Sequence, residues 1–168
     1  MEKIDILKLI KERRSVRKFQ DKEVSRQIIK NSLEAARWAP SGLNNQPWKF
    51  MILSKDKKDS LVKYTKFGQV IKQANKLILV FLNKKKLYSY KKDLMAIGAA
   101  IQNILLYLQA QNIRTCWLGE IINQGKEVEK ELQILPHLEF VAAISLGWPK
   151  SEPKTKERNP LKELILSP

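Results

Sequence analysis

Three short clusters in this 168-residue chain carry side chains suited to gripping a polar ligand. The first is Arg13-Arg14-Ser15-Val16-Arg17-Lys18. Guanidinium groups hold phosphate-type anions through paired, charge-assisted hydrogen bonds, and the serine adds a hydroxyl donor. The second is Pro40-Ser41-Gly42-Leu43-Asn44-Asn45-Gln46-Pro47. Each side-chain amide there offers a donor and an acceptor, the complement of a pyrimidine-like ring edge that displays N–H and C=O groups. An ordinary polar loop has the same composition. The third is Lys154, Lys156 and Arg158, spaced two apart, so that an extended chain turns all three to one side. Gly119, after Cys116-Trp117-Leu118, either ends a strand or lets the main chain come close to a flat ligand. His137 has no acidic or cysteine partner in a recognisable motif and is assigned no catalytic role. There is no metal-ligand spacing, Walker-type glycine loop, serine elbow or internal repeat.

The elements that must position these clusters follow from periodicity. Ile4, Leu7 and Ile10 predict an amphipathic helix over Lys3 to Arg13 that delivers the chain into the arginine corner. A second helix runs from Arg26 to Ala39, with Ser25 as its cap and Val24 packing on Ile29 as a hydrophobic staple. Pro40 stops it, Ser41-Gly42 favours a tight turn, and Pro47 pushes Gln46 toward an extended conformation. Trp48 to Leu53 then reads as a strand. Lys55 to Phe67 reads as one largely polar helix, and Leu77 to Leu82 as a strand covered on both faces. Asp93 to Ala110 is the longest helix, with Leu94, Ile97, Ile101, Ile104 and Leu108 forming a heptad-like seam suited to a core or a subunit interface. Arg114 to Ile122 predicts a buried strand, Gly125 to Leu132 a short helix, Phe140 to Leu146 a strand, and Lys150 to Asn159 an extended tail.

One domain spanning residues 1–168 is the simplest reading of the length. The single cysteine, Cys116, excludes an internal disulfide framework and suggests a reducing, cytoplasmic setting. The N-terminus lacks an uninterrupted apolar signal sequence, and Leu77 to Leu82 is too short to span a bilayer. The formal charge of +15 would suit nucleic acid, anionic lipid or phosphate-bearing small molecules. Lysine runs interleaved with Tyr88 and Tyr90 support a nucleic-acid-associated alternative, but the charge is dispersed and no binding motif accompanies it.

Taken in order, Arg13 to Arg17, Ala39 to Trp48, Gly98 to Leu106 leading into Thr115 to Gly119, and Gly147-Trp148-Pro149 followed by Lys156-Glu157-Arg158 closely resemble the nitroreductase family of flavin mononucleotide enzymes. The resemblance covers nearly the whole chain. It implies a three-layer α+β fold around a mixed, mainly antiparallel sheet, in an intertwined homodimer with one FMN in each of two interface clefts. It places Arg13, Ser15, Lys156 and Arg158, with Arg14 at a more variable position, at the phosphate and ribityl end. Arg17 falls beside the pyrimidine side of the flavin, where a fixed cation favours the reduced ring and raises its potential. Pro40, Ser41 and Gly42 match the segment that reaches the flavin from the other subunit, with Asn44 and Gln46 supplying amide contacts. Leu118 and Gly119 match the stretch near N5. The activity implied is transfer of hydride from NADH or NADPH through the flavin to nitroaromatic, quinone or similar flat acceptors, with no side chain acting as acid or base. Flavin storage, flavin processing and reductive dehalogenation are the alternatives on the same fold. The short stretch before Asp93 leaves little chain for covering helices and predicts an open pocket.

Overall fold

The computed structural model describes residues 5–153 and 157–166. Its centre is a four-stranded sheet: β1 (Trp48–Leu53), β2 (Lys76–Asn83), β3 (Arg114–Leu118) and β4 (Leu138–Gly147), in the order β1-β2-β4-β3. Every ladder is antiparallel, and the parallel element among the described residues is an isolated bridge between Ser15 and Thr115. The continuous apolar run of β2 is buried on both faces because successive side chains alternate between two cores. Ile78, Val80 and Leu82 enter one core, while Leu77, Leu79 and Phe81 enter the other. A bulge opposite Val80 and Phe81 leaves Val141 unpaired, so that Phe140 and Ala143 both reach the second core.

The first core is closed by α2 (Arg26–Arg37) and α5 (Tyr90–Ala110), and α1 (Ile6–Glu12) lies beyond it against α5. The second is closed by α3 (Lys55–Asp59), α4 (Gly68–Gln73) and α6 (Gly125–Glu131), giving three layers. Ser25 caps α2 by accepting the Ile28 N–H, and Val24 and Ile29 share one core as a staple requires. At 21 residues, α5 is long and apolar enough to cross a bilayer by length and composition. Ala96, Ile97, Ala100, Ile101, Ile104, Leu105 and Leu108 are nevertheless buried in the first core, which accounts for its composition.

The structure departs from periodicity in three places. The single helix expected over Lys55 to Phe67 is broken into α3, a 3-10 turn at Val62–Tyr64 and then α4. Two contacts impose the break. Gly68 packs so tightly on the Val62 carbonyl that a Cβ would lie 2.6 Å from its oxygen. The buried Lys58 ammonium donates to the carbonyls of Ile71 and Lys72 at 2.9 and 2.8 Å, capping α4. The strand expected over Arg114 to Ile122 ends at Leu118, where Glu120–Gln124 turns as a 3-10 helix. The helix expected from Asp93 begins one turn earlier, at Tyr90, and places Asp93 inside the molecule.

Replacing Lys58 by methionine keeps the apolar stem but strands two helix-terminal carbonyls. It should lower unfolding free energy by about 1–3 kcal/mol, read as a reduced urea midpoint at constant m-value.

Candidate functional site

The arginine corner is built where α1 ends. Val16 donates its N–H to the Thr115 carbonyl at 2.9 Å, and Phe19 bridges Pro149, so residues 15–19 run beside the start of β3 and the end of β4. Val16 and Phe19 are buried in the second core, which leaves Arg13, Ser15 and Arg17 at the surface. The close approach explains Gly147, since a Cβ there would meet the Phe19 ring at 3.0 Å. Arg158, carried by the tail, stands near the same corner. Partial burial, then the neighbouring charges of Arg14 and Arg158, push the Arg13 guanidinium below its ordinary value. The Arg14 guanidinium itself turns back to the carbonyls of Lys11 and Arg13, at the end of α1. Cys116 sits behind the corner. Burial pushes its thiol up, opposed by Arg17, the Ser15 hydroxyl and Arg13. Lys156 and Lys154 lie outside the described residues, and with them the common side expected for the tail's cations.

The amide bend is held by different means. Pro40 ends the helical stretch, and a 3-10 turn covers Gly42–Asn44. Leu43, Asn44 and Gln46 adopt left-handed backbone, with φ of 52°, 53° and 48°. Gln46 therefore departs from the extended conformation expected before Pro47. The Ser41 hydroxyl accepts the Gln46 N–H at 3.1 Å, and the Gln46 amide reaches back to Asn44. Gly42 packs on Tyr88, where a Cβ would lie 2.6 Å from the ring. Asn45 donates both to the Lys86 carbonyl and to Asp93, while its own buried Oδ1 has no partner among the described residues. The fully buried Asp93 carboxylate also accepts the N–H groups of Tyr88 and Ser89. Tyr88 thus supports the bend, with Lys92 over its ring, and Tyr90 donates to Glu139.

Leu118 closes β3 as a buried residue, and Gly119 follows at the surface with φ of −80°. A Cβ built on Gly119 meets nothing within 4 Å, so the space beside this main chain is open. Two sets of residues therefore emerge. Arg13, Ser15, Arg17, Arg158 and the Leu118-Gly119 stretch belong to the β3 edge, whereas Pro40 to Gln46 leads into the opposite edge strand, β1. The arginine cluster and the bend also lie at opposite ends, since Trp48 registers with Leu82 and, through it, Glu139, while Thr115 registers with Leu146 and, through it, Lys76; Leu118 registers with Ala143, midway along the sheet. Within one chain the arginine cluster and the bend are diagonal corners of the sheet. Sequence reasoning missed Asp93 as the anchor of the bend; its signal was an acidic residue early in a helix whose neighbours are apolar. No group of three or more potential metal ligands is gathered among the described residues.

The profile of the Nitroreductase family matches residues 10–68 and 62–148. A protein of Archaeoglobus fulgidus described as an NADH dehydrogenase/NAD(P)H nitroreductase is 32% identical over 152 residues, covering 88% of this chain and 87% of that one. Among solved structures, one described as a nitroreductase in complex with FMN, from Desulfovibrio desulfuricans, superimposes with a TM-score of 0.94. It is 41% identical and covers 99% of this chain and 98% of that one. An iodotyrosine deiodinase of Thermotoga neapolitana is 26% identical, covering 88% of this chain and 90% of the deiodinase.

Asp93→Ala would remove the acceptor shared by three part-buried donors, and stability should fall by about 1–3 kcal/mol in urea unfolding. Asp93→Asn retains one acceptor oxygen and should lose less.

Proposed function

This chain belongs to the Nitroreductase family, and from that membership we propose that it is an FMN-dependent oxidoreductase, moving hydride from NADH or NADPH to nitroaromatic, quinone or similar flat acceptors. The observation that carries the reading is the gathering of Arg13, Ser15, Arg17 and Arg158 at one edge of the sheet. Such a cluster is repulsive by itself and is relieved by a dianion such as a phosphate monoester, so the donor set fits the FMN phosphate. Open space beside Gly119 fits a flat ring lying against main chain.

In this reading Arg13, Ser15 and Arg158, with Lys156 from the tail, hold the phosphate and ribityl end. Arg14 contributes charge from behind, its guanidinium being committed to α1. Arg17 places a fixed positive charge beside the pyrimidine side of the ring and favours its reduced, anionic form. The Leu118-Gly119 main chain borders the N5 side. Pro40, Ser41, Gly42, Asn44 and Gln46 close the heterocycle end from a second copy of the chain, because their own corner lies diagonally across the sheet. Bound FMN supplies the hydride-accepting and hydride-donating centre. The residues supply orientation and electrostatics, and none is needed as an acid or base.

A homodimer is supported by exposed apolar surface among the described residues. Residues Ile6, Leu7 and Ile10 of α1 are exposed, and so are Leu161, Leu164, Ile165 and Leu166 near the C-terminus, the last at 92%. Two identical copies related by a twofold axis would bring the corner of each to the bend of the other, twice. Residues 1–168 are read as one FMN-binding domain acting in the cytoplasm, where the buried thiol of Cys116 stays reduced. A second reading, reductive dehalogenation on the same residues, is favoured by the similarity to the deiodinase. Turnover against nitroaromatic, quinone and halophenol acceptors separates the two.

Purified protein should be yellow, with flavin bands that bleach on adding NADH or NADPH; protein that is colourless and cannot be reconstituted with FMN would refute the proposal. Arg17→Ala should lower the flavin reduction potential measured against reference dyes. Arg13→Ala chains and Asn44→Ala/Gln46→Ala chains, co-assembled and isolated through two different tags, should regain one tightly bound FMN per mixed dimer. Mixed dimers with two weakened sites would exclude a site shared between chains.

A further inference from the structure

The three consecutive side-chain amides of the bend divide their tasks. Asn45 turns inward: its Nδ2 donates to the Lys86 carbonyl at 2.8 Å and to Asp93 Oδ1 at 2.9 Å. Its neighbours bind each other. The Gln46 Nε2 donates to the main-chain carbonyl and to Oδ1 of Asn44, both at 3.3 Å, which leaves the Asn44 Nδ2 donor and the Gln46 Oε1 acceptor without a partner among the described residues. An unused donor beside an unused acceptor is the complement of a ring edge that displays C=O and N–H. The backbone follows the same division. Leu43, Asn44 and Gln46 are left-handed, whereas Asn45 among them has right-handed values, φ −70° and ψ −20°. Left-handed non-glycine residues persist only where they are held from outside, and Asn45 is the residue of this set whose side chain reaches the fully buried Asp93. The Asp93 carboxylate keeps its two oxygens for two duties: Oδ1 takes Asn45, and Oδ2 takes the N–H groups of Tyr88 and Ser89 at the start of α5. Loss of the Asn45 amide therefore loosens the bend and leaves the start of the helix bound.

We propose that Asn45, anchored on Asp93, is the positioning residue of the bend: it fixes Asn44 and Gln46 in the conformation in which they meet the heterocycle of FMN held at the arginine corner of a second copy. This role rests on the FMN reading of the bend and adds to it a residue that touches no cofactor. Pre-organisation of this kind raises affinity by removing the cost of ordering the bend from the binding step. It also fixes where damage is felt. The bend of one chain serves the corner of the other, so loss of Asn45 weakens the site across the interface and spares the site at its own corner.

The experiment measures FMN affinity of the full-length protein by quenching of flavin fluorescence. Asn45→Ala should raise the dissociation constant about two- to ten-fold, the scale of one hydrogen bond, and Asn45→Leu, which keeps the volume, should do the same. In an Asn44→Ala/Gln46→Ala background Asn45→Ala should add no further loss, because the amides it positions are gone. Mixed dimers of Asn45→Ala chains and Arg13→Ala chains, isolated through two different tags, should hold one site of unaltered affinity, made from the intact corner of the first chain and the intact bend of the second. Unchanged affinity in both Asn45 variants overturns the proposal, and so does an equal loss in both backgrounds or a mixed dimer with two weakened sites. Arg13→Ala and Asn44→Ala/Gln46→Ala are the controls that keep the two inferences apart. If both leave FMN affinity unchanged, the cofactor assignment itself fails and the positioning role with it; if both weaken binding while Asn45→Ala does not, only the positioning role fails.

Discussion

Cations do not gather by mutual attraction, and one edge of this protein exists to hold several of them together. The means are apolar and main-chain. Val16 and Phe19 are buried in the second core, the Val16 N–H is bound by Thr115, and the segment around Lys18 to Gln20 exchanges hydrogen bonds with Trp148 and Lys150. Burial of Val16 and Phe19 leaves Arg13, Ser15 and Arg17 at the surface whether or not their charges agree. Hydrophobic burial is worth on the order of 1.5–3 kcal/mol per large side chain, enough to outweigh the repulsion of partly solvated guanidinium groups at a high effective dielectric.

At the diagonal corner the difficulty is conformational. Three non-glycine residues of the bend occupy left-handed backbone, which persists only where the surroundings over-determine it. The buried Asp93 carboxylate provides that determination by collecting Asn45 and the N–H groups of Tyr88 and Ser89, joining the bend to the start of α5. Charge is kept at one corner and shape at the other. A ligand with a phosphate at one extremity and a hydrogen-bonding heterocycle at the other needs both kinds of surface, and one chain does not place them side by side.

Helix α5 runs from one corner toward the other. It packs beside α2 over the first core, starts beside the bend and ends just before Arg114. Its seam of Ile101, Ile104 and Leu108 is fully buried in the first core. The same helix leaves Met95 exposed, as α1 leaves Ile6 and Leu7, so the apolar surface extends beyond the core of a single copy.

What the sequence determined by itself was what local chemistry determines. Periodicity located α2, α5 and all four strands, Pro40 ended the second helix, Ser25 capped it, and the two clusters of polar residues were visible as donor sets. Their order along the chain carried the family resemblance. Long-range contact decided the rest. The helix expected over Lys55 to Phe67 is broken because Lys58 has a better use for its ammonium thirteen residues away. Gln46 turns left-handed because Ser41 and Asn44 bind it there. Asp93 acquires its role only when the bend is brought beside the start of α5. Residue type and spacing record what a side chain can bind, whereas the partner that reaches it is fixed by a fold whose contacts are mostly non-local.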